Sequence, residues 1–213
     1  MPRRRSDPYA AAVICLVSGA QPILRRYAHT GRYGQLIVPR SGDMPELGLP
    51  WACDNGGYHG FEIEPYARML GRARNYSGCW WVTAPDVYCD PAATDTLFHE
   101  WEGALHELGF PVALVAQDGL AEGDVPWDRL DCLFMGGTLN WKLGAEARAL
   151  IRAAQARGKR THAGRAGTIR RMRYFGSLGV DSCDSAIFSR HAGPAFQTFT
   201  PLLTDRQLGL EIE

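Results

Sequence analysis

The motifs that this chain lacks narrow its chemistry first. It contains no Gly-x-x-x-x-Gly-Lys-Ser/Thr and no Gly-x-Gly-x-x-Gly, so nucleoside triphosphates and dinucleotides lose support as ligands. It has no His-Glu-x-x-His and no Cys/His cluster, which argues against a catalytic metal. Its cysteines, at Cys15, Cys53, Cys79, Cys89, Cys132 and Cys183, contain no Cys-x-x-Cys pair and sit mostly in or beside apolar runs. Scattered thiols in a reducing cytoplasm fit that pattern better than disulfides or zinc. An excess of charge of one sign is also missing: 23 Lys and Arg balance 23 Asp and Glu. The whole molecule is therefore no electrostatic attractor for nucleic acid, and any such affinity must come from local clustering. Long apolar runs are absent as well. After the basic segment Met1 to Asp7, the first run is interrupted by Ser18, Gly19 and Gln21, too soon to span a membrane. The expectation is a cytoplasmic protein without a membrane segment, internal repeat or low-complexity stretch.

Short apolar runs are plentiful. Eight read as strands: Ala12 to Val17, Gln35 to Val38, Pro50 to Cys53, Trp80 to Ala84, Val112 to Ala116, Cys132 to Met135, Arg160 to His162 and Gly179 to Cys183. They alternate little, as strands covered on both faces do. Amphipathic segments at Ile63 to Ala73, Ala93 to Leu108, Leu143 to Arg157 and Thr168 to Leu178 predict helices, with Gly109, Gly158 and Gly179 as terminators of three. Strand–helix alternation with short links implies a parallel sheet. Eight units fit an α/β protein of the (β/α)8 barrel type, a single domain over residues 1–213, with residues 1–8 a flexible basic terminus. An open doubly wound sheet is the alternative, and it requires one or two of the weakest strands to be false.

A barrel assembles its site at the carboxyl ends of its strands. Those ends are followed by Asp54, Asp86, Gln117 with Asp118, Gly136-Gly137, His162 and Asp184. Two glycines behind Asp54 allow a tight turn and close approach of backbone to a flat ligand, and Tyr58 offers a ring to stack on. Two separated carboxylates, Asp54 and Asp184, suit displacement at an anomeric carbon, one as nucleophile and one handling protons. Asp86, Gln117 and the Gly136-Gly137 backbone supply acceptors and donors for the edge of a heterocycle. His162 is assigned to the same pocket as a contact to base or sugar, with packing at the strand end as the alternative. Trp80 and Trp81 read as core.

These segments, in this order, resemble those of the guanine transglycosylases, which exchange a guanine in nucleic acid for a 7-deazaguanine. Cys53-Asp54-Asn55-Gly56-Gly57-Tyr58 is similar to the family's Asp-Ser-Gly-Gly-aromatic segment, Ala84-Pro85-Asp86 to the segment that reads guanine, and Val115-Ala116-Gln117-Asp118-Gly119 to the Gln-Gly segment. Met135-Gly136-Gly137 is similar to the Gly-Gly segment, and Gly179 to Asp184 to Gly-x-Asp-x-x-Asp. The resemblance implies a pentosyltransferase in which Asp184 is the nucleophile and Asp54 moves protons. Asp86 and Gln117 would bind the base, and a backbone amide at Gly136-Gly137 would meet its carbonyl. It implies no cofactor, and as partners a nucleic acid and a free guanine or 7-deazaguanine such as preQ0.

The departures from the family pattern are informative. Asn55 replaces Ser, Asp118 replaces Gly, and no cysteine follows Asp184, so the zinc site and transfer-RNA grip of the longer members are in doubt. The resemblance is to compact members acting on DNA rather than transfer RNA. A basic run of Arg157, Lys159, Arg160, Arg165, Arg170, Arg171 and Arg173 would hold phosphates flanking an extruded base; a solvated helix face is the plain alternative. Arg3 to Arg5 read as a frayed terminus before a second phosphate contact. Two rival functions stay open: a hydrolase in which water resolves the intermediate, and a non-catalytic base- or nucleic-acid-binding subunit. A homodimer or a partner subunit is also left open.

Overall fold

In the computed structural model, which describes residues 13–19, 21–46 and 48–204, all eight runs form strands. They are β1 (Ile14–Val17), β2 (Tyr33–Ile37), β3 (Trp51–Cys53), β4 (Cys79–Thr83), β5 (Val112–Ala116), β6 (Cys132–Met135), β7 (Arg160–Ala163) and β8 (Ser182–Asp184). Each pairs in parallel with its neighbour in sequence, and β8 returns to β1 through Cys15 and Cys183, closing the barrel. The (β/α)8 expectation holds and the open-sheet alternative falls. The segment before residue 13, including Arg3 to Arg5 and the basic terminus, lies outside the described residues.

The helices are α1 (Gln21–Tyr27), α2 (Ile63–Ala73), α3 (Pro91–Glu107), α4 (Leu139–Lys142), α5 (Ala145–Ala156), α6 (Ile169–Ser177), α7 (Ile187–Arg190) and α8 (Ala192–Thr204). The α3 helix starts two residues earlier than the sequence suggests, because Asp90 caps it through the Ala93 N–H at 2.9 Å and Pro91 suits the first turn. The helix expected from Leu143 starts instead at Ala145, after Gly144, and the unforeseen turn α4 precedes it, capped by Thr138. Among the described residues no α-helix covers the links β2–β3 and β5–β6; the second carries only a 3-10 turn at Glu122–Asp124. This economy lets a closed barrel fit in a short chain. The α8 helix seals the β1–β2 side, where Phe196 packs 4.7 Å from Tyr33 and 5.0 Å from both Tyr27 and Phe188.

Side chains alternate across a strand, so odd and even positions enter different compartments. Leu16, Leu36, Ala52, Trp81, Ala113, Val115, Cys132 and Phe134 fill the barrel interior. Trp81 on β4 meets Phe134 on β6 at 5.4 Å and His162 on β7 at 4.7 Å, contacts that only the interior permits. Their neighbours Cys15, Val17, Trp51, Cys53, Val82, Leu114, Leu133 and Met135 pack against the helices. Counting two residues on from the interior side chains gives Asp54, Thr83, Gln117, Gly136, Gly164 and Asp184. The alternation that builds the core thus aims these residues at one point above it.

Candidate functional site

That point is a pocket of about 90 Å³ at the carboxyl end of the barrel, lined by Asp54, Tyr58, Thr83, Asp86, Tyr88, Val115, Gln117, Phe134, Gly136, Gly164, Arg165 and Asp184. The room is made by glycine. A Cβ on Gly136 would sit 2.4 Å from Val115 Cγ1, and one on Gly164 would sit 2.6 Å from the Phe134 ring. Any side chain at either inward position would fill the space above the core.

Asp184, the last residue of β8, is held from behind. Its Oδ1 accepts the Arg165 backbone N–H at 2.9 Å and faces His162 Nε2 at 3.1 Å. His162 Nδ1 lies 2.8 Å from the Ser182 hydroxyl. Burial pushes the His162 imidazole below its usual value despite the carboxylate, so the ring is neutral near pH 7. A carboxylate can only accept; Nε2 therefore carries the proton, and Nδ1 accepts from Ser182. Burial alone would raise the Asp184 pKa. The hydrogen bonds from His162 and the Arg165 N–H, with the Lys142 ammonium, outweigh it and hold this carboxyl below the usual carboxylate range. Among the described residues no donor engages Oδ2.

Asp54 behaves in the opposite way. Burial raises its pKa to about 6; the Gly56 N–H, donating to Oδ1 at 2.8 Å, and Arg165 oppose this, while the charges of Asp184 and Asp86 add to it. The turn behind it depends on glycine, with Gly56 at φ 76°. One pocket thus holds a carboxylate that stays ionised and a carboxylic acid that titrates near neutrality.

Asp86 presents an acceptor edge. Asn55 Nδ2 donates to one oxygen at 3.0 Å and Gln117 Nε2 to the other at 2.8 Å, while Gln117 Oε1 accepts the Cys89 N–H at 3.0 Å. Burial raises the Asp86 pKa against those two bonds and Arg165. The residue departing from the family's Ser is thus a brace: Asn55 also ties its N–H to Thr83 Oγ1 and its amide to the Ala84 carbonyl. The other departure is also structural, with Asp118 accepting from both the N–H and the hydroxyl of Thr138 across the β5 and β6 ends.

Four expectations need correction. His162 does not line the pocket; it is fully buried among Trp81, Phe134 and Asp184, and it positions the carboxylate instead of meeting a ligand. Gly137 also lies outside the lining, and the N–H groups of Gly136 and Gly137 both donate to the Ala116 carbonyl, at 2.9 and 3.1 Å. The Arg173 guanidinium donates to the Leu202 carbonyl on α8 at 3.2 Å, so it is engaged in bracing α6 against α8. The basic run is split by the fold. Arg157 stacks on Trp127 and pairs with Glu122, and Arg160 stacks on Trp80, all at the amino end of the barrel. Only Arg165, Arg170 and Arg171 stand on the pocket side, in and after the β7–α6 link.

Arg165 carries more than its sequence position suggested. It adopts φ 56°, unusual for a side-chain-bearing residue and a mark of a constrained site. Its guanidinium lies 3.2 Å from the Tyr58 ring centroid, covering the aromatic face.

Lys142 was not foreseen at all. It is buried at 2 % exposure, and its ammonium donates to the carbonyls of the two pocket glycines, Gly136 and Gly164. Burial lowers its pKa to about 8, against the attraction of Asp184. Lys142→Met would strip two carbonyls of a donor, costing about 1–3 kcal/mol. It would also remove an ammonium whose burial lowers its pKa from 10.5 to about 8, worth about 3 kcal/mol. These nearly cancel, so stability should change little. The Asp184 pKa should rise, and carboxyl titration by NMR checks this; an unmoved Asp184 would show that the lysine supports only the backbone.

Among the described residues no group of three or more His, Cys, Asp or Glu is arranged to hold a metal ion, and no helix is long and apolar enough to cross a membrane. All six cysteines are free thiols, with Cys89 exposed.

Fold and pocket define a (β/α)8 barrel with an acidic site at its carboxyl end. No family model matches the chain, and no curated protein matches it. Among solved structures it is similar to the crystal structure of an enolase protein from the environmental genome shotgun sequencing of the Sargasso Sea, with a TM-score of 0.52 and 14 % identity. The match covers 81 % of this chain and 54 % of that one, so the chain spans little more than half of that structure's length. The likeness is one of fold alone.

Proposed function

We propose that the protein is a pentosyltransferase that exchanges a guanine in nucleic acid, DNA rather than transfer RNA, for a 7-deazaguanine such as preQ0. The observation that carries this reading is the pair Asp184 and Asp54, which face one pocket with opposite proton affinities. Asp184 Oδ2 attacks C1′ as the C1′–N bond to guanine breaks, and the leaving base takes a proton from Asp54. The entering base returns a proton to the Asp54 carboxylate, attacks C1′ and expels Asp184. Two inversions retain configuration, and no cofactor is required because the glycosyl bond is conserved in the covalent intermediate.

Base choice falls to Asp86. Its two oxygens, each holding one amide donor, keep lone pairs for the N1–H and exocyclic amine that guanine and preQ0 share. Asp86→Ala should weaken both bases by about 1–3 kcal/mol or more, and Gln117→Ala should do so less. Hypoxanthine lacks the amine, so wild type should reject it and Asp86→Ala should reject it less. Competition among guanine, preQ0, adenine and hypoxanthine measures this, and unchanged discrimination would remove Asp86 from base reading. The decisive assay is exchange of labelled guanine into DNA and transfer RNA side by side. Release of guanine without uptake would make the protein a hydrolase; neither release nor uptake would leave a binding subunit.

A further inference from the structure

Five large apolar side chains are exposed among the described residues: Tyr58, Ile63, Val87, Tyr88 and Leu108. Exposed apolar residues scattered singly need no explanation. Four of these five are grouped, in the β3–α2 link, at the first position of α2 and in the β4–α3 link, all at the carboxyl rim of the barrel. Tyr88 is 45 % exposed and meets Tyr58 edge to face at 5.2 Å.

The tip that displays Tyr88 is braced. Thr94 Oγ1 bonds both the N–H and the carbonyl of Val87, at 3.0 and 3.1 Å, and the Cys89 N–H is held by Gln117. Cys89 takes φ 61°, a left-handed turn that costs energy for a side-chain-bearing residue. A strained, rigid tip ending in an exposed aromatic is built for display.

The opposite bank differs in kind. In a closed ring of eight strands, β7 and β8 face β3 and β4. There Arg165 is exposed at the mouth and Arg170 is exposed on the first turn of α6, a turn with no acidic residue. Arg165 reaches over the mouth to cover Tyr58, Arg170 stays on the far bank, and Tyr88 keeps an exposed face; an exposed ring beside guanidinium groups suits the bases and phosphates of a nucleic-acid strand.

We propose that Tyr88, with Val87, stacks the nucleobase adjacent to the reacting guanosine, while the phosphates run along Arg165 and Arg170. This rests on the reading of the pocket as a guanine site in nucleic acid. It fixes the substrate class as an unpaired segment of at least two nucleotides, since a base lying on Tyr88 has left its own stack.

The test is equilibrium binding of a labelled single strand containing one guanosine, and of two strands made abasic at either neighbour of that guanosine. Wild type should lose about 5- to 100-fold in affinity for one abasic strand. Tyr88→Ala should lose as much on the intact strand and nothing further on the abasic one, and Tyr88→Trp should restore the difference. An abasic penalty that persists undiminished in Tyr88→Ala overturns the proposal, as does a matched duplex bound as tightly as the single strand. Guanine exchange by wild type is measured in parallel. Coupling without exchange upholds the platform and defeats the transferase reading; exchange without coupling does the reverse.

Discussion

Asp184→Asn should reduce guanine exchange by about 10⁴-fold or more, as loss of a nucleophile does where the remaining groups act only in concert with it. The amide retains an oxygen for the His162 and Arg165 donors, so the fold should survive; what goes is the free anionic oxygen. Wild type mixed with substrate and quenched in denaturant should yield a protein–nucleic-acid adduct, and the variant should yield none. An adduct persisting in Asp184→Asn would transfer the role elsewhere. Asp181 is a poor heir, since its carboxylate accepts the N–H and hydroxyl of Thr161 at the amino end of β8, away from the pocket. Asp54 would then be the candidate.

Asp54→Asn should cost about 10²–10⁴-fold, the usual contribution of a general acid–base group, and should leave a signature in pH. In wild type the acid form of Asp54 is present below about 6, so formation of the glycosyl-enzyme should decline as pH rises through that value. The opposing limb, set by Asp184, should lie below the ordinary carboxylate range. The variant should lose the limb near 6 and keep the other. Stability should move the other way. A carboxyl whose pKa rises on folding, here from 3.8 to about 6, binds more protons in the native state between those values. Its stabilisation is complete below 3.8 and lost as pH passes 6. Two units correspond to about 3 kcal/mol at most. Asp54→Asn should therefore be more stable than wild type at pH 8, and the gap should close near pH 4, as denaturant unfolding at the two pH values would reveal. A constant difference would mean that Asp54 is not buried against its charge.

The barrel could be read in the sequence because each strand is a short apolar run and four of the helices carry a clear stripe. The α8 helix also buries a stripe, Ala195, Phe196, Phe199 and Leu203, but Gly193, Pro194 and Pro201 along it read as helix breakers. The carbonyl that Arg173 meets lies on α8, a partner that no local pattern around Arg173 announces. Asp54, Asp86, Gln117 and Asp184 were legible because a polar residue directly after an apolar run stands out. Lys142 was not, because nothing local marks a lysine in a short helical turn as buried; only the meeting of β6 and β7 covers it. His162 illustrates a subtler limit. Its inward position was readable from alternation, but its depth, one layer below the pocket, required knowing that Gly164 and not His162 ends the inward series on β7.

The inward series has a consequence for how such a chain can change in length. Deleting one residue within Ser182–Asp184 would swing the carboxylate out toward the helices and bring Ser185 to the mouth. The same holds for every strand that contributes to the site, where a shift of one position exchanges core and pocket. Beyond Asp54, Asp86, Gln117 and Asp184 the links no longer set an inward position, so insertions there turn nothing over. Single-codon insertion scanning should therefore yield a sharp map, with tolerated events confined to the rim and lethal ones to the staves. New substrate preferences would arise by grafting rim segments onto staves of fixed length.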